Sequence, residues 1–174
     1  MHPIAESKFR ESGTAVNPST TLFVYGSLKR GFWNHREFLG SAGFLGSGHV
    51  WGRLYDLPGG FPAIEIPEES ILAYGTSDHL ADAGMRHDRG CNPDFPENLE
   101  GDWTKVHGEV YGLQDPGDDL RDLDILEGFR SQSPSFYQRV LVRVQLESHA
   151  QPAWVYVSPA PMEGILLSNG TWTG

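Results

Sequence analysis

Glu127 stands near the end of a predicted helix, where an acidic side chain could take part in proton transfer. Residues 115–129 begin with Asp115 as a side-chain cap and Pro116 at the first helical position, and Gly128 favours the end of the helix. Three leucines define the apolar face of this helix: Leu120, Leu123 and Leu126. Glu127 falls within that face, one turn after Leu123. An acid is therefore expected on the side of the helix that packs against the protein.

The surroundings expected for Glu127 disfavour its charged form. The carboxyl would stand at the negative end of the helix dipole and face a partly apolar interior, and both effects raise its pKa from about 4.3. A carboxyl whose pKa lies near the working pH suits a general acid/base. The alternative is a frayed helix end, with Glu127 in solvent or paired with Arg130 or Arg139.

A second candidate feature is the turn in "VYGSL", which follows a predicted strand. Residues 22–25 are apolar and favour a buried β-strand, and Gly26 and Ser27 then make a tight turn. Successive backbone N–H groups around such a turn can bind an anion. The alternative is an ordinary turn without a ligand.

The rest of the chain indicates a strand-rich protein with few helices. The 21 glycines and 12 prolines are typical of many turns. One further helix is expected between a cap at Asn34 and a stop at Gly40. Residues 70–104 show no lasting periodicity and predict a long excursion loop that could include one helical turn. Residues 1–20 are polar and are expected to be a flexible lead-in.

Several short segments occur in the order in which one known family has them. They are "LFVYGSLKRGFWNH" (22–35), "GRLYDLPGGFPAI" (52–64), "VHGEVYGL" (106–113), "LDILEGF" (123–129), "FYQRVLVRV" with "AWVYV" (136–144 and 153–157), and "SNGTW" (168–172). Together they resemble the gamma-glutamylcyclotransferase-like family, which includes gamma-glutamylamine cyclotransferases and the plant avirulence-induced-gene-like proteins. The resemblance implies an α+β fold, a small mixed β-barrel flanked by a few helices, in a single domain over residues 21–174.

The resemblance also implies a site. Glu127 matches the family's catalytic acid/base. The residues expected to bind substrate are Tyr25, Gly26, Ser27, Leu28, Tyr137 and Tyr156. The Tyr137 hydroxyl could orient Glu127, and Tyr156 could reach the pocket from the adjacent strand, although either could be an ordinary half-buried strand tyrosine.

The activity implied is release of 5-oxoproline and a free amine from a gamma-glutamyl amine or peptide. The substrate's own α-amine attacks the side-chain carbonyl, and this chemistry needs no metal or organic cofactor. The second hypothesis is a non-catalytic module that binds a small metabolite on the same fold. A third is another reaction, such as hydrolysis of a different amide. The identity of the leaving amine and the oligomeric state stay open.

Composition limits the possible partners. A net charge of -10 over 174 residues disfavours binding to a nucleic-acid backbone, and no apolar run approaches the ~18 residues of a membrane span. The single cysteine, Cys91, excludes an internal disulfide and fits a reducing cytoplasm. His79 and His87 lie near Cys91 in sequence, but no metal-binding frame supports them, so no metal is expected. The expected partner is a small gamma-glutamyl substrate.

Overall fold

The computed structural model describes residues 20–85, 101–159 and 163–174. In chain order its strands are β1 (Thr21–Val24), β2 (Gly43–Asp56), β3 (Pro62–Glu65), β4 (Ile71–Tyr74), β5 (Thr104–Gly112), β6 (Gln138–Leu146), β7 (Ala150–Val157) and β8 (Ile165–Leu166). The helices are α1 (Trp33–Phe38), α2 (His79–Ala83) and α3 (Pro116–Glu127), and a 3-10 turn spans Glu68–Ser70. None of the described helices has the length and apolar character that crossing a bilayer requires.

Five of these strands close into a barrel, in the order β2, β5, β1, β7 and β6. The ring closes because β6 pairs back onto β2, with Gly48 opposite Leu146 and His49 opposite Gln145. β1 runs parallel to β7, and the other pairs in the ring are antiparallel. The prediction of a small mixed β-barrel flanked by helices is therefore confirmed.

The first strand is apolar throughout because both of its faces are covered. Phe23 packs inside the barrel with valines such as Val110 and Val140. Its neighbours Leu22 and Val24 belong to a second apolar cluster, which contains the α3 leucines. Strands buried on both faces read as continuous apolar runs, and this explains the "LFV" pattern. This second cluster packs α3 against the outside of the barrel.

Helix α3 has the predicted bounds, but the details of its start differ. Pro116 is its first residue, and Gly128 ends it in the left-handed conformation with φ 65°, as expected for glycine at this position. Asp115 precedes the helix without a side-chain cap bond, so that part of the prediction is wrong. The side chain of Asp119, in the first turn, stabilises the helix start instead. Its Oδ2 accepts hydrogen bonds from the backbone N–H groups of Gln114 and Asp115, both at 3.1 Å.

Two other sequence predictions are wrong. Helix α1 begins at Trp33 after Phe32, so Asn34 is not its cap; Asn34 lies inside the helix and is free to bond elsewhere. The expected excursion loop over residues 70–104 starts with a strand instead, because β4 pairs with β6. The single helical turn that was allowed in this segment corresponds to α2. Residues 86–100 of that loop, like residues 1–19 of the expected lead-in, lie outside the described part of the chain.

Candidate active site

The turn after β1 lies against the hairpin that leads into β3. A Cβ atom on Gly26 would stand 2.5 Å from Cγ of Pro62, so only glycine lets the two segments approach this closely. The Lys29 N–H donates to the Gly26 carbonyl at 3.0 Å and closes the turn. Within the described residues, neither the Ser27 nor the Leu28 N–H donates to another backbone group. These two amides are the donors that an anion could use.

Asn34, which the sequence reasoning missed as a site residue, supports the same turn. Its side-chain Nδ2 donates to the Ser27 Oγ at 2.9 Å. Because the hydroxyl of Ser27 is held from the first turn of α1, the orientation of this side chain is set before any ligand arrives. The signal in the sequence is the asparagine of "GFWNH", a residue type that also favours a helix cap.

Glu127 is the last residue of α3 and lies near this turn. Its side chain is partly buried, and the loss of solvent raises the pKa of its carboxyl from 4.5 to about 7. The expected direction of this pKa shift is confirmed, and burial is its cause. The alternative in which Glu127 pairs with Arg139 is wrong, since Arg139 pairs with Asp124 and Asp82. Such a carboxyl can both accept and return a proton near neutral pH.

One cavity of about 250 Å³ joins Glu127 to the turn. Its wall includes every residue that the sequence singled out for substrate binding, namely Tyr25, Gly26, Ser27, Leu28, Tyr137 and Tyr156. It also includes Asn34, Phe61, Pro62 and Leu126, which were not predicted. A volume below the roughly 300–1,000 Å³ of drug-sized pockets suits a small metabolite. Among the described lining residues, Glu127 is the only one with a charged side chain.

The three tyrosines of the wall hold the site together through their hydroxyl groups. Tyr25 donates to the carbonyl of Tyr156 at 2.8 Å, and Tyr137 donates to the carbonyl of Pro62 at 2.6 Å. Tyr137 thus secures the hairpin opposite Gly26 and does not donate to Glu127, as its expected orienting role would have required. Burial, followed by the nearby charge of Glu127, raises the pKa of Tyr137, so this phenol stays neutral.

A buried charge network behind the cavity centres on Asp124, one helical turn before Glu127. Asp124 Oδ1 accepts from Arg139 Nε at 2.8 Å and from the Tyr156 hydroxyl at 2.6 Å. Its other oxygen, Oδ2, lies 2.9 Å from His79 Nε2. These bonds tie the end of α3 to β6, β7 and α2. Asp124 therefore helps to hold the segment of helix that carries Glu127.

Arg139 links Asp124 to a second buried acid, Asp82. Its side chain is fully buried, and its Nη2 donates to Asp82 Oδ2 at 3.0 Å and to the Thr76 carbonyl at 3.1 Å. The rings of Phe129 and Trp154 lie 5.5 and 4.8 Å from its Cζ atom. The sequence carried one signal for this cluster, an arginine within the apolar strand "RVLV". It did not indicate which acids would meet that arginine.

No group of three metal-ligating side chains is found in the described ranges. His79 is used in the contact with Asp124. His87 and Cys91, which follow His79 in the sequence, lie outside the described residues. Independently of any metal, the burial of Glu127 suits proton transfer and the turn offers backbone amides for hydrogen bonding.

Comparison with known proteins finds a matching family and two named relatives. The family described as gamma-glutamyl cyclotransferase, AIG2-like, matches residues 22–87 and 75–174. A provisionally named gamma-glutamylcyclotransferase of Methanocaldococcus jannaschii is 28% identical over 152 residues, covering 87% of this chain and 93% of the relative. The human gamma-glutamylaminecyclotransferase is 30% identical over 152 residues, covering 87% of this chain and 79% of the human protein.

A solved structure agrees with the fold. The crystal structure of a mouse AIG2-like protein superimposes with a TM-score of 0.56, covers 88% of each chain and shares 22% identity, which supports the fold alone. The family match spans nearly all of the described residues. The barrel strands, the Gly26–Ser27 turn and Glu127 occur along the chain in the order that the sequence segments indicated. The chain belongs to the gamma-glutamyl cyclotransferase, AIG2-like family.

Proposed function

We propose that this protein releases 5-oxoproline and a free amine from a gamma-glutamyl amine or peptide. Membership of the family supports gamma-glutamyl cyclotransferase activity in general. One observation carries the finer proposal: Glu127, whose pKa burial raises to about 7, lines one small cavity together with the Gly26–Ser27 turn. A proton acceptor and an anion-binding turn are the two parts that this intramolecular reaction needs.

The proposed reaction is a cyclisation of the substrate's glutamyl group. The α-amine nitrogen forms a bond to the γ-carbonyl carbon, and the amide bond from that carbon to the leaving nitrogen breaks. A free α-amine has a pKa of about 7.7 to 8.0 and must lose a proton to attack. Glu127 as a carboxylate takes a proton from the attacking amine. As the acid it returns a proton to the leaving nitrogen, and the enzyme ends in the state in which it began.

The turn has two possible uses in this reaction. The amides of Ser27 and Leu28 would hold either the α-carboxylate of the substrate or the oxygen that becomes negative during attack. Both uses position the amine over the carbonyl, and positioning of this kind supplies much of the acceleration of a ring closure. The hydrogen bond from Asn34 to Ser27 keeps the turn in one arrangement.

The test measures 5-oxoproline released by the purified protein from a broad panel of gamma-glutamyl amines, amino acids and peptides. Glu127→Gln should lower kcat/KM by roughly 10²- to 10⁴-fold, the usual contribution of a general acid/base. Glu69→Gln, at an exposed acid that does not line the cavity, serves as the matched control and should keep wild-type activity. Circular dichroism should show that both variants are folded.

The pH dependence gives a second readout of the same proposal. Because the base must be deprotonated, kcat/KM should rise with pH through an inflection near the pKa of about 7 assigned to Glu127. Absence of product from every compound in the panel would reject the catalytic proposal. Stabilisation of the protein by a gamma-glutamyl compound without product would establish the metabolite-binding module instead.

A further inference from the structure

Two phenylalanines stand exposed at the edge of the Glu127 cavity. The Phe61 residue is 39% exposed and Phe136 is 47% exposed, and their ring centroids lie 5.5 Å apart in an edge-to-face arrangement. Phe61 itself lines the cavity. Phe136 also contacts Tyr137, another lining residue, with centroids 5.0 Å apart. We refer to Phe61 and Phe136 as the aromatic rim.

The rim is held by the fold. The carbonyl of Phe61 accepts from the Leu57 N–H at 3.1 Å, which fixes the hairpin between β2 and β3. The Phe61 ring folds over Gly59, where a Cβ atom would meet it at 2.1 Å, so the ring position depends on glycine there. Phe136 is placed by the start of β6 and packs between Phe61 and Tyr137. An apolar surface therefore exists at the cavity mouth before any ligand binds.

The position of the rim matches one part of the proposed substrate. The glutamyl group must place its amine and carbonyl between Glu127 and the turn, beside the buried lining residues Tyr25 and Leu28. The substituent on the leaving nitrogen lies beyond the bond that breaks, towards the mouth. A continuous aromatic surface at the mouth of a pocket is typical of a binding surface for an apolar group.

We propose that the aromatic rim binds an aromatic or alkyl substituent on the leaving amine, so that apolar gamma-glutamyl amides are the preferred substrates. This inference rests on the proposed function. The lining chemistry supports it, because Phe61, Pro62 and Leu126 are apolar and Glu127 is the only charged group among the described lining residues. Among the described lining residues, a cationic substituent such as a lysine or polyamine would find no second carboxylate.

The experiment compares kcat/KM for three gamma-glutamyl amides that differ only in the leaving amine: phenethylamine, ethylamine, and lysine linked through its side chain. The phenethylamide should exceed each of the other two by at least about tenfold, since apolar contacts in a pocket give discrimination of this order. The difference should lie mainly in KM, because the rim contacts the substituent and not the reacting atoms.

Variants of the rim test its role directly. Phe136→Ala and Phe61→Ala should reduce the ratio of kcat/KM between phenethylamide and ethylamide towards one, and Phe136→Leu should keep most of it. The matched control is Phe44→Ala, which removes an equally exposed phenylalanine outside the cavity and should keep the wild-type ratio. If Phe61→Ala disturbs the hairpin, Phe136→Ala still decides, because this residue lies outside it.

The outcomes separate the inference from the function on which it rests. Turnover of the ethylamide or the lysine compound as fast as the phenethylamide would overturn the rim proposal and leave the cyclotransferase proposal standing. A preference for the phenethylamide that survives both alanine variants would also overturn it. Failure to turn over any compound of the wider gamma-glutamyl panel would reject the function, and the rim proposal would fall with it.

Discussion

Replacing Glu127 by glutamine should remove a pH dependence from the free energy of unfolding. The change exchanges an ionisable carboxyl for an amide of almost the same shape. Burial raises the pKa of the carboxyl from 4.5 to about 7, so the folded protein binds this proton more tightly than the unfolded chain between those values. The stability that the protonated carboxyl contributes is fully present below about pH 4.5. It is lost as the pH rises through about 7.

The size of the effect follows from the two pKa values. A rise from 4.5 to about 7 corresponds to about 3.4 kcal/mol, at about 1.36 kcal/mol for each pKa unit. Because the side chain keeps some contact with solvent, screening reduces this to about 2 to 3 kcal/mol. For a chain of 174 residues, about 1 kcal/mol changes Tm by about 2 to 4 °C. The expected change is therefore about 4 to 12 °C.

The assay is thermal unfolding of the wild type and Glu127→Gln between pH 4.5 and 8.5, followed by circular dichroism or calorimetry. Every other ionisable group is common to the two proteins, so the difference in their Tm isolates this carboxyl. The Tm of the wild type, relative to that of the variant, should fall by the stated amount as the pH rises. Glu69→Gln, which changes an exposed acid, should follow the wild type across the whole range.

Parallel curves for the wild type and Glu127→Gln would refute this reasoning. They would mean that the carboxyl has an ordinary pKa and stands in bulk solvent. The proposed acid/base chemistry would then lose its physical basis, whatever activity the protein shows. A difference that grows with rising pH would refute it too, because that sign belongs to a carboxyl whose pKa is lowered on folding.

Two further predictions concern packing around the site. Gly26→Ala would put a methyl group 2.5 Å from Cγ of Pro62, so it should lower the free energy of unfolding by about 1 to 3 kcal/mol and kcat/KM at least about tenfold. Denaturant unfolding and 5-oxoproline release measure the two effects. Wild-type values in both would contradict the close approach. Asp124→Ala would leave the buried Arg139 without its main partner and should lower the free energy of unfolding by about 3 to 5 kcal/mol. The control Asp118→Ala removes an exposed ion pair and should lower it by no more than about 1 kcal/mol. Equal losses in the same unfolding experiment would show that the network is not buried.

Local sequence determined the features that depend on a residue and its immediate neighbours. Pro116 and Gly128 predict the ends of α3 because each has a backbone preference that needs no distant partner. Local rules failed at Asn34, where a residue suited to a helix cap bonds to Ser27 instead. They also failed at β4, whose short segment Ile71–Tyr74 becomes a strand by pairing with β6. Pairing with a distant strand leaves little local pattern to find.

The sequence by itself determined which residues could do chemistry and where the helix carrying Glu127 begins and ends. Only the tertiary structure decided which groups surround that acid. The contact of Asp124 with Arg139 and the contact between Phe61 and Phe136 join residues from different elements, and each depends on how the barrel closes. A side chain's pKa and its binding partners are set by burial and by neighbours in space, and these neighbours exist only once the chain has packed.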